Sequence, residues 1–359
     1  LAHVPFLDIW SMLRAAPQLA KLQGYRSVYS VVAKFIKNEK LRQAFSYHTL
    51  LVGGNPFSTS AIYALIHALE LKWGVHFPRG GTGALVAALV QLFKDIGGEV
   101  RLNAPVDEIL VNNNLVTGVR LKDGTEITAN SVASNSDVVH TYKHLLRGAA
   151  PAQSKTRSLL KSDHSMSLFL VYFGVKGEYP DLAHHSILFG PRYRALLTDI
   201  FDRGILADDF SVYLHSPSVS DSSLAPAGHS THYALAPVPH LGISDVDWAI
   251  EGPKLADRIL AAVEDRCMPG LRENIVTQRI FSPPDFESYL NAWQGSAFSL
   301  QPTLLQSAYF RVHNRDKHIG GLYFVGAGTH PGAGIPGVVN SARATAALML
   351  QDADVSGDQ

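Results

Sequence analysis

The residues best placed to do chemistry lie near the C-terminal end of the chain. Five glycines and two prolines fall between Gly326 and Gly337, in the run VGAGTHPGAGIPGV from Val325 to Val338. Ahead of it, Gly321 to Val325 reads as a strand, and Gly337 to about Gln351 reads as a helix. A side-chain-poor backbone leading into a helix N-terminus offers free N–H groups and the positive end of the helix dipole. Both suit a partial negative charge on a bound group. The competing reading is a tight loop packed on a sheet, and the residues alone leave the two open.

Gly332, Gly334 and Gly337 also satisfy G-x-G-x-x-G. A dinucleotide fingerprint needs its first glycine at the strand end and an acidic residue on a further strand. Here six residues, Gly326 to Pro331, separate the strand from the triplet, and no such strand follows. The triplet is therefore read as part of the loop. Other reactive patterns are sparse. No G-x-S-x-G elbow supports a serine hydrolase. Sixteen histidines are present; His184, His185, His229 and His232 lie close in sequence, but no carboxylate accompanies them at ligand spacing, so no metal is expected. The lone Cys267 permits no intramolecular disulfide and reads as core. Three weak candidates for catalytic contact remain. His330 sits inside the glycine run, and Lys21 and Arg26 lie near an apolar helix face, where they could line a channel or merely snorkel to water.

The elements that must position these residues follow from composition and period. The chain has 359 residues, 46% apolar and 17% charged, which excludes disorder and suggests two domains. Thirty-one basic residues balance thirty-one acidic ones, so no overall field gathers nucleic acid and no nucleic-acid partner is expected. Charge is uneven, however. Seven basic residues (Arg14, Lys21, Arg26, Lys34, Lys37, Lys40 and Arg42) face only Asp8 and Glu39 in the first fifty positions. There Tyr25, Val28, Tyr29, Val32, Phe35 and Ile36 follow the spacing of one helix face. Further helices are expected over Ser58 to Leu71, from an N-cap at Thr82 to Gly97, and over Asp245 to Arg266. A meander of short strands is expected over Glu99 to Leu102, Val106 to Val111, Val116 to Leu121 and Thr125 to Ile127, turning at Asn112 to Asn114 and Lys122 to Gly124. Strands over Ser167 to Gly174, Phe210 to His215 and His232 to Ala236 should build a second, mixed sheet. No stretch reaches the ~18 apolar residues of a spanning helix, and no signal peptide is recognisable. The chain opens at Leu1 without an initiator Met, as a piece of a longer protein would.

The glycine run resembles the C-terminal signature of the bacterial and fungal type phytoene desaturases, FAD-dependent carotenoid desaturases of the amine-oxidase-like flavoprotein superfamily. The resemblance continues through LLVGGNPF (Leu50 to Phe57), HFPRGGTGAL (His76 to Leu85), VASNSDVVHTY (Val132 to Tyr142), FGPRYR (Phe189 to Arg194), LAPVPHLG (Leu235 to Gly242) and HNRDK (His313 to Lys317). It is closest to the lycopene-forming members. It implies an α/β flavoprotein with a split FAD-binding domain, a mixed-sheet substrate domain and a helical, membrane-facing unit. The expected divisions are 1–73 for the helical unit, 74–147 and 301–359 for the FAD-binding parts, and 148–300 for the substrate domain.

Family members begin with a βαβ unit that holds the ADP half of FAD, and this chain shows no such motif; tight FAD binding by this chain alone is therefore not expected. The resemblance assigns the FAD contacts to three places: Val106; Ser134 on a crossover strand; and Gly326, Ala327, Gly328, Gly334, Ile335, Pro336, Gly337 and Val338 beside the flavin. A reduced flavin carries negative charge at N1 and the C2 carbonyl, which matches the helix start. The implied reaction is desaturation of phytoene toward lycopene, with hydride transfer from the carotene to flavin N5 and a quinone or oxygen as final electron acceptor. A carotenoid hydrocarbon and a membrane surface are the implied partners, at the cytoplasmic, inner face of the membrane. The alternatives are a carotenoid isomerase using reduced FAD and a non-catalytic carotenoid- or lipid-binding fragment.

Overall fold

Ten strands are formed among the described residues, 9–357 of the computed structural model: β1 (Val106–Asn112), β2 (Leu115–Leu121), β3 (Glu126–Thr128), β4 (Val132–Ser134), β5 (Ser167–Lys176), β6 (His185–Leu188), β7 (Val212–His215), β8 (His229–Val238), β9 (Ile275–Phe281) and β10 (Leu322–Phe324). The helices that matter below are α1 (Ile9–Lys21), α2 (Val28–Phe35), α3 (Gly81–Asp95), α4 (Trp248–Arg266) and α5 (Ile335–Gly357). They fall into two compact units: residues 1–68, 104–166 and 287–359, and residues 69–103 and 167–286.

In the first unit, β1, β2 and β3 form the expected antiparallel meander. Its first turn is made by Asn113 and Asn114, both at positive φ (47° and 61°), the backbone a two-residue hairpin loop demands and Asn tolerates. Residues 99–102 form no strand; the run lacks a pairing partner, and β1 begins only at Val106. A second, parallel pair joins β4 to β10, with Ala133 opposite Tyr323. Ile109, Val139, Leu146, Leu322 and Phe324 are buried around these strands, and the Tyr142 ring stacks on Phe324 at 5.0 Å.

In the second unit, β6-β7-β8-β5-β9 form a five-stranded sheet in which every neighbouring pair is antiparallel. The sequence reading expected a mixed sheet. Strands β6, β7 and β8 follow one another in the chain, but β5 is inserted between β8 and β9, and helix alternation along the sequence does not reveal strand direction. One face, Phe169, Val171, Phe173 and Val175 of β5 with Ala234, Ala236 and Val238 of β8, packs on Leu255, Ala256, Ile259 and Val263 of α4. Those positions recur at helical spacing, and Asp247 caps α4 by accepting from the Ala249 N–H.

The helical elements of residues 9–73 depart from expectation in detail. Helix α2 starts at Val28 because Ser27 caps it, its hydroxyl accepting from Ser30 N. Tyr25 thus falls outside the helix, and with Phe35 it is exposed (68% and 78%), whereas Val28 is buried. The single helix expected over Ser58 to Leu71 is a 3-10 turn, Ala61–Ala64, followed by a helix Leu65–Trp73. Helix α3 is capped by Gly80 in the left-handed region rather than by Thr82; the Gly80 N–H donates to Asp221 Oδ2 at 2.7 Å.

Candidate functional site

The glycine run connects β10 to α5, and three layers of contact fix its shape. Where the strand ends, Val325 N donates to Ser134 O, and Gly326 N donates to Ser341 Oγ at 3.0 Å. Gly326 lies at φ 103°, and a Cβ there would come within 2.3 Å of Asn135 Oδ1. At Gly328 a Cβ would come within 2.6 Å of Val138. These two glycines let the loop cross closely over the end of β4. Behind that crossing, Asp137 accepts from the backbone N–H groups of Val139 (2.9 Å) and His140 (3.2 Å). Burial raises its pKa, against the lowering effect of those N–H donors and the Ser299 hydroxyl.

The second layer ties down carbonyls. Arg311, 2% exposed, donates through Nη2 to Ala327 O at 2.6 Å and to Leu300 O at 3.4 Å, and through Nη1 to Gln306 O at 3.3 Å. Burial lowers its pKa, yet a guanidinium stays charged in proteins, and three carbonyl dipoles face it. Asn314 Nδ2 donates to His330 O at 3.0 Å and to Thr345 Oγ1 at 3.1 Å. The His330–Pro331 peptide is cis.

The third layer is where the run enters α5. The helix begins at Ile335, two residues before the expected Gly337, and extends beyond Gln351. Pro336 falls in its first turn, where a missing N–H costs nothing. Gly337 sits against the loop itself, since a Cβ would lie 2.5 Å from Gly332 O. Gly334 differs. At φ 90° it is a glycine backbone, but a Cβ would meet only Val52, at 3.7 Å; at Gly332 the nearest atoms, of Arg311 and Tyr63, are 3.7 to 3.9 Å away. Beside this bare stretch Ile335 and Val339 are 55% and 58% exposed. The chain thus brings a side-chain-free stretch of backbone, an apolar flank and a helix start together, which fits a flat ring carrying partial negative charge at one edge.

A flavin-containing amine oxidoreductase family model matches residues 8–350. The phytoene desaturase (lycopene-forming) of Pantoea ananas is 60% identical over 352 residues, covering 98% of this chain and 72% of that protein. The chain belongs to the flavin-containing amine oxidoreductases, and among them to the phytoene desaturases. A more distant phytoene desaturase, the neurosporene-forming protein of Rhodobacter capsulatus, is 44% identical over 358 residues, covering 98% of this chain and 68% of that protein. The fold of the amine oxidoreductases recurs in solved structures. An oxidoreductase from Methanosarcina mazei has a TM-score of 0.63 at 15% identity, covering 96% of this chain and 73% of that one. Cyclohexylamine oxidase from Brevibacterium oxydans has a TM-score of 0.56 at 15% identity, covering 96% and 75%. The expected amine-oxidase-like flavoprotein fold is therefore the observed one, and FAD is the cofactor of this family of phytoene desaturases.

Of the residues expected at the flavin, Ser134, Gly326, Ala327 and Gly328 are gathered where β4 and β10 end, and Gly334 to Val338 form the start of α5. The Ser134 hydroxyl is hydrogen-bonded to Thr141 Oγ1 at 2.8 Å. Val106 opens β1 in the meander, paired with Leu121. Lys21 is exposed at the end of α1, and Arg26 donates to Ser30 Oγ at 3.2 Å. His330 is buried within the run. The sequence reading gave no role to Arg311, Asn314, Asp137 or Ser341, although Asn314 and Asp137 lie in quoted motifs; an arginine amid apolar residues and an Asp directly before the helical turn Val138–His140 were the available signals.

Proposed function

We propose that this chain carries out FAD-dependent desaturation of phytoene toward lycopene. The observation that carries the reading is the side-chain-free backbone at Gly332 to Gly334 beside the start of α5, in a chain 60% identical to lycopene-forming phytoene desaturases. FAD, when bound, would supply the hydride acceptor for a desaturation in which a hydride leaves one carbon of the polyene, a proton leaves the neighbouring carbon and a double bond forms between them.

The chain's own residues orient and enclose. The N-terminal turn of α5, with Gly334 to Val338, would hold the negative edge of the ring system, and Ser134 and Gly326 to Gly328 set the loop's height over β4. Arg311 and Asn314 fix that loop through its carbonyls. The first unit takes the cofactor role and the second unit the substrate role. On the sheet face turned away from α4, Tyr172, Tyr233 and Tyr213 form a ladder of rings with centroids 5.6 and 5.7 Å apart, a surface suited to a hydrocarbon. Burial raises the pKa of Tyr172 and Tyr233, so both remain uncharged phenols.

The electron acceptor is a quinone or oxygen, and docking is to the inner, cytoplasmic face of the membrane. No helix among the described residues is long and apolar enough to cross a bilayer. Peripheral docking is supported by exposed Trp10, Leu22, Tyr25 and Phe35 among the exposed Lys21, Lys34, Lys37 and Lys40.

The test is to mix the FAD-loaded protein with phytoene in liposomes and follow product mass. Loss of two hydrogens per step, ending at lycopene, is expected. An isomer of unchanged mass would instead assign a carotenoid isomerase, and binding without conversion a carotenoid-binding fragment.

A further inference from the structure

We propose that His184, His185 and His215 form a three-nitrogen site for a divalent first-row transition metal, Zn2+ foremost. The site borders the ring ladder through Tyr213 and Tyr233, and its test reads metal binding apart from the reaction assigned above.

The three rings are assembled by the sheet. His185 opens β6 and His215 closes β7, directly opposite one another in register. Ser216 N donates to His184 O at 2.9 Å, which holds His184 beside the end of β7. Ring centroids are 4.4 Å apart for His184 and His185, 4.7 Å for His184 and His215, and 5.2 Å for His185 and His215. One nitrogen from each ring can be chosen so that all three lie within 4.8 Å of one another. The Nδ1 atoms of His185 and His215 are 3.4 Å apart. Tetrahedral Zn2+ with Zn–N bonds of ~2.0–2.1 Å places its ligand nitrogens about 3.3 Å apart.

The hydrogen bonds around the cluster have the form that metal ligation takes. His184 Nδ1 is bonded to Ser220 Oγ at 2.8 Å, while its Nε2 is buried and has no hydrogen-bond partner. A ligating histidine uses one nitrogen for the metal and the other for an outer partner that fixes the ring. The Tyr213 hydroxyl lies 2.6 Å from His185 Nδ1 and 3.3 Å from His215 Nδ1, the place of a fourth, oxygen donor. Phe77 packs 4.7 Å from His184, and Tyr233 packs 4.6 Å from His215, so the cluster has apolar walls. An all-imidazole set without thiolate or carboxylate suits Zn2+, Cu2+ or Ni2+.

The experiment is calorimetric titration of the metal-stripped full chain with Zn2+, paralleled by Co2+ titration read from the visible absorption of the bound ion. One saturable equivalent is expected, with a Zn2+-dependent rise in melting temperature. Tyr213→Phe, which removes the oxygen donor, should weaken binding, and His184→Ala, His185→Ala and His215→Ala should weaken it by more. His229→Ala, outside the cluster, should bind as the parent does. His185 is exposed, so its variant remains informative if the buried His215 variant fails to fold. Absence of a saturable equivalent, or unchanged Zn2+ affinity in His184→Ala and His185→Ala, overturns the proposal.

Discussion

Arg311 Nη2 and the carbonyl oxygen of Ala327 are 2.6 Å apart, and this bond joins a buried cation to the crossing point of the glycine run. The guanidinium is held among the carbonyls of Leu300, Gln306 and Ala327. Charge-assisted bonds of this kind contribute about 1.5–3 kcal/mol, and an orphaned buried acceptor costs about 1–3 kcal/mol. Arg311→Ala should therefore lower the melting temperature by several degrees and reduce flavin occupancy together. Arg311→Lys should recover little, because an ammonium cannot span three acceptors with a planar fork. Wild-type flavin content in both variants would show that the loop holds its shape without the arginine.

Gly334 and Gly337 should respond differently to the same added methyl group. At Gly334 the methyl meets only Val52, at an ordinary contact distance of 3.7 Å, and the left-handed backbone is what resists it, at about 1–2 kcal/mol. Gly334→Ala should fold with a modest loss of stability and lose flavin affinity, because the methyl projects where the ring is to lie. At Gly337 the methyl collides with Gly332 O at 2.5 Å, so Gly337→Ala should distort the loop and destabilise the protein even without flavin. Chemical denaturation of both apoproteins, beside flavin titration, separates the effects. Equal destabilisation of the two would contradict the looser packing around Gly334 than around Gly337.

The parts of this fold that could be read from the sequence are those with local signals. Asn113–Asn114 and Gly124 announce the meander turns, the apolar run of β5 announces a buried strand, and the glycine run announces itself. What escaped reading depends on partners distant in the chain. Arg311 satisfies backbone carbonyls, which leave no side-chain signature. His215 meets His184 and His185 only through the β6–β7 register, and Gly337 differs from Gly334 in its helical backbone and in what its missing Cβ would strike. The antiparallel order of the second sheet was likewise hidden, since pairing direction is set by return paths rather than by strand composition. Tyr25 shares the period of α2, but the Ser27 cap cuts it off.

Acid should destabilise the protein between about pH 6.5 and 4. Burial lowers the pKa of His232 from 6.5 to about 4; its ring nitrogens are hydrogen-bonded to Ser216 Oγ and Ser230 Oγ, both at 2.9 Å. The unfolded chain thus binds the proton more readily than the folded one. The stability this contributes is fully present above about pH 6.5 and is lost as pH falls toward 4, at most about 3 kcal/mol for the full shift. His48 is lowered to about 4 as well, by burial and then by His67, and adds in the same direction. His232→Gln should flatten the pH dependence of unfolding free energy in that window. A variant that keeps the full wild-type slope would mean that His232 is not among the groups responsible.

The basic first segment should dock on anionic membrane. Lys34, Lys37 and Lys40 are exposed, and Phe35 among them is 78% exposed. Each basic group near an anionic surface contributes about 1 kcal/mol, so three together account for a change of roughly a hundredfold in partitioning, and salt should weaken it. An apolar ring adds hydrophobic insertion that salt leaves intact. In liposome flotation, the Lys34→Glu/Lys37→Glu/Lys40→Glu variant should lose binding to anionic vesicles. Phe35→Ser should weaken binding at every salt concentration. The competing arrangement, in which this segment is a lid whose lysines merely face water, predicts equal flotation with neutral and anionic vesicles and no effect of the charge reversals.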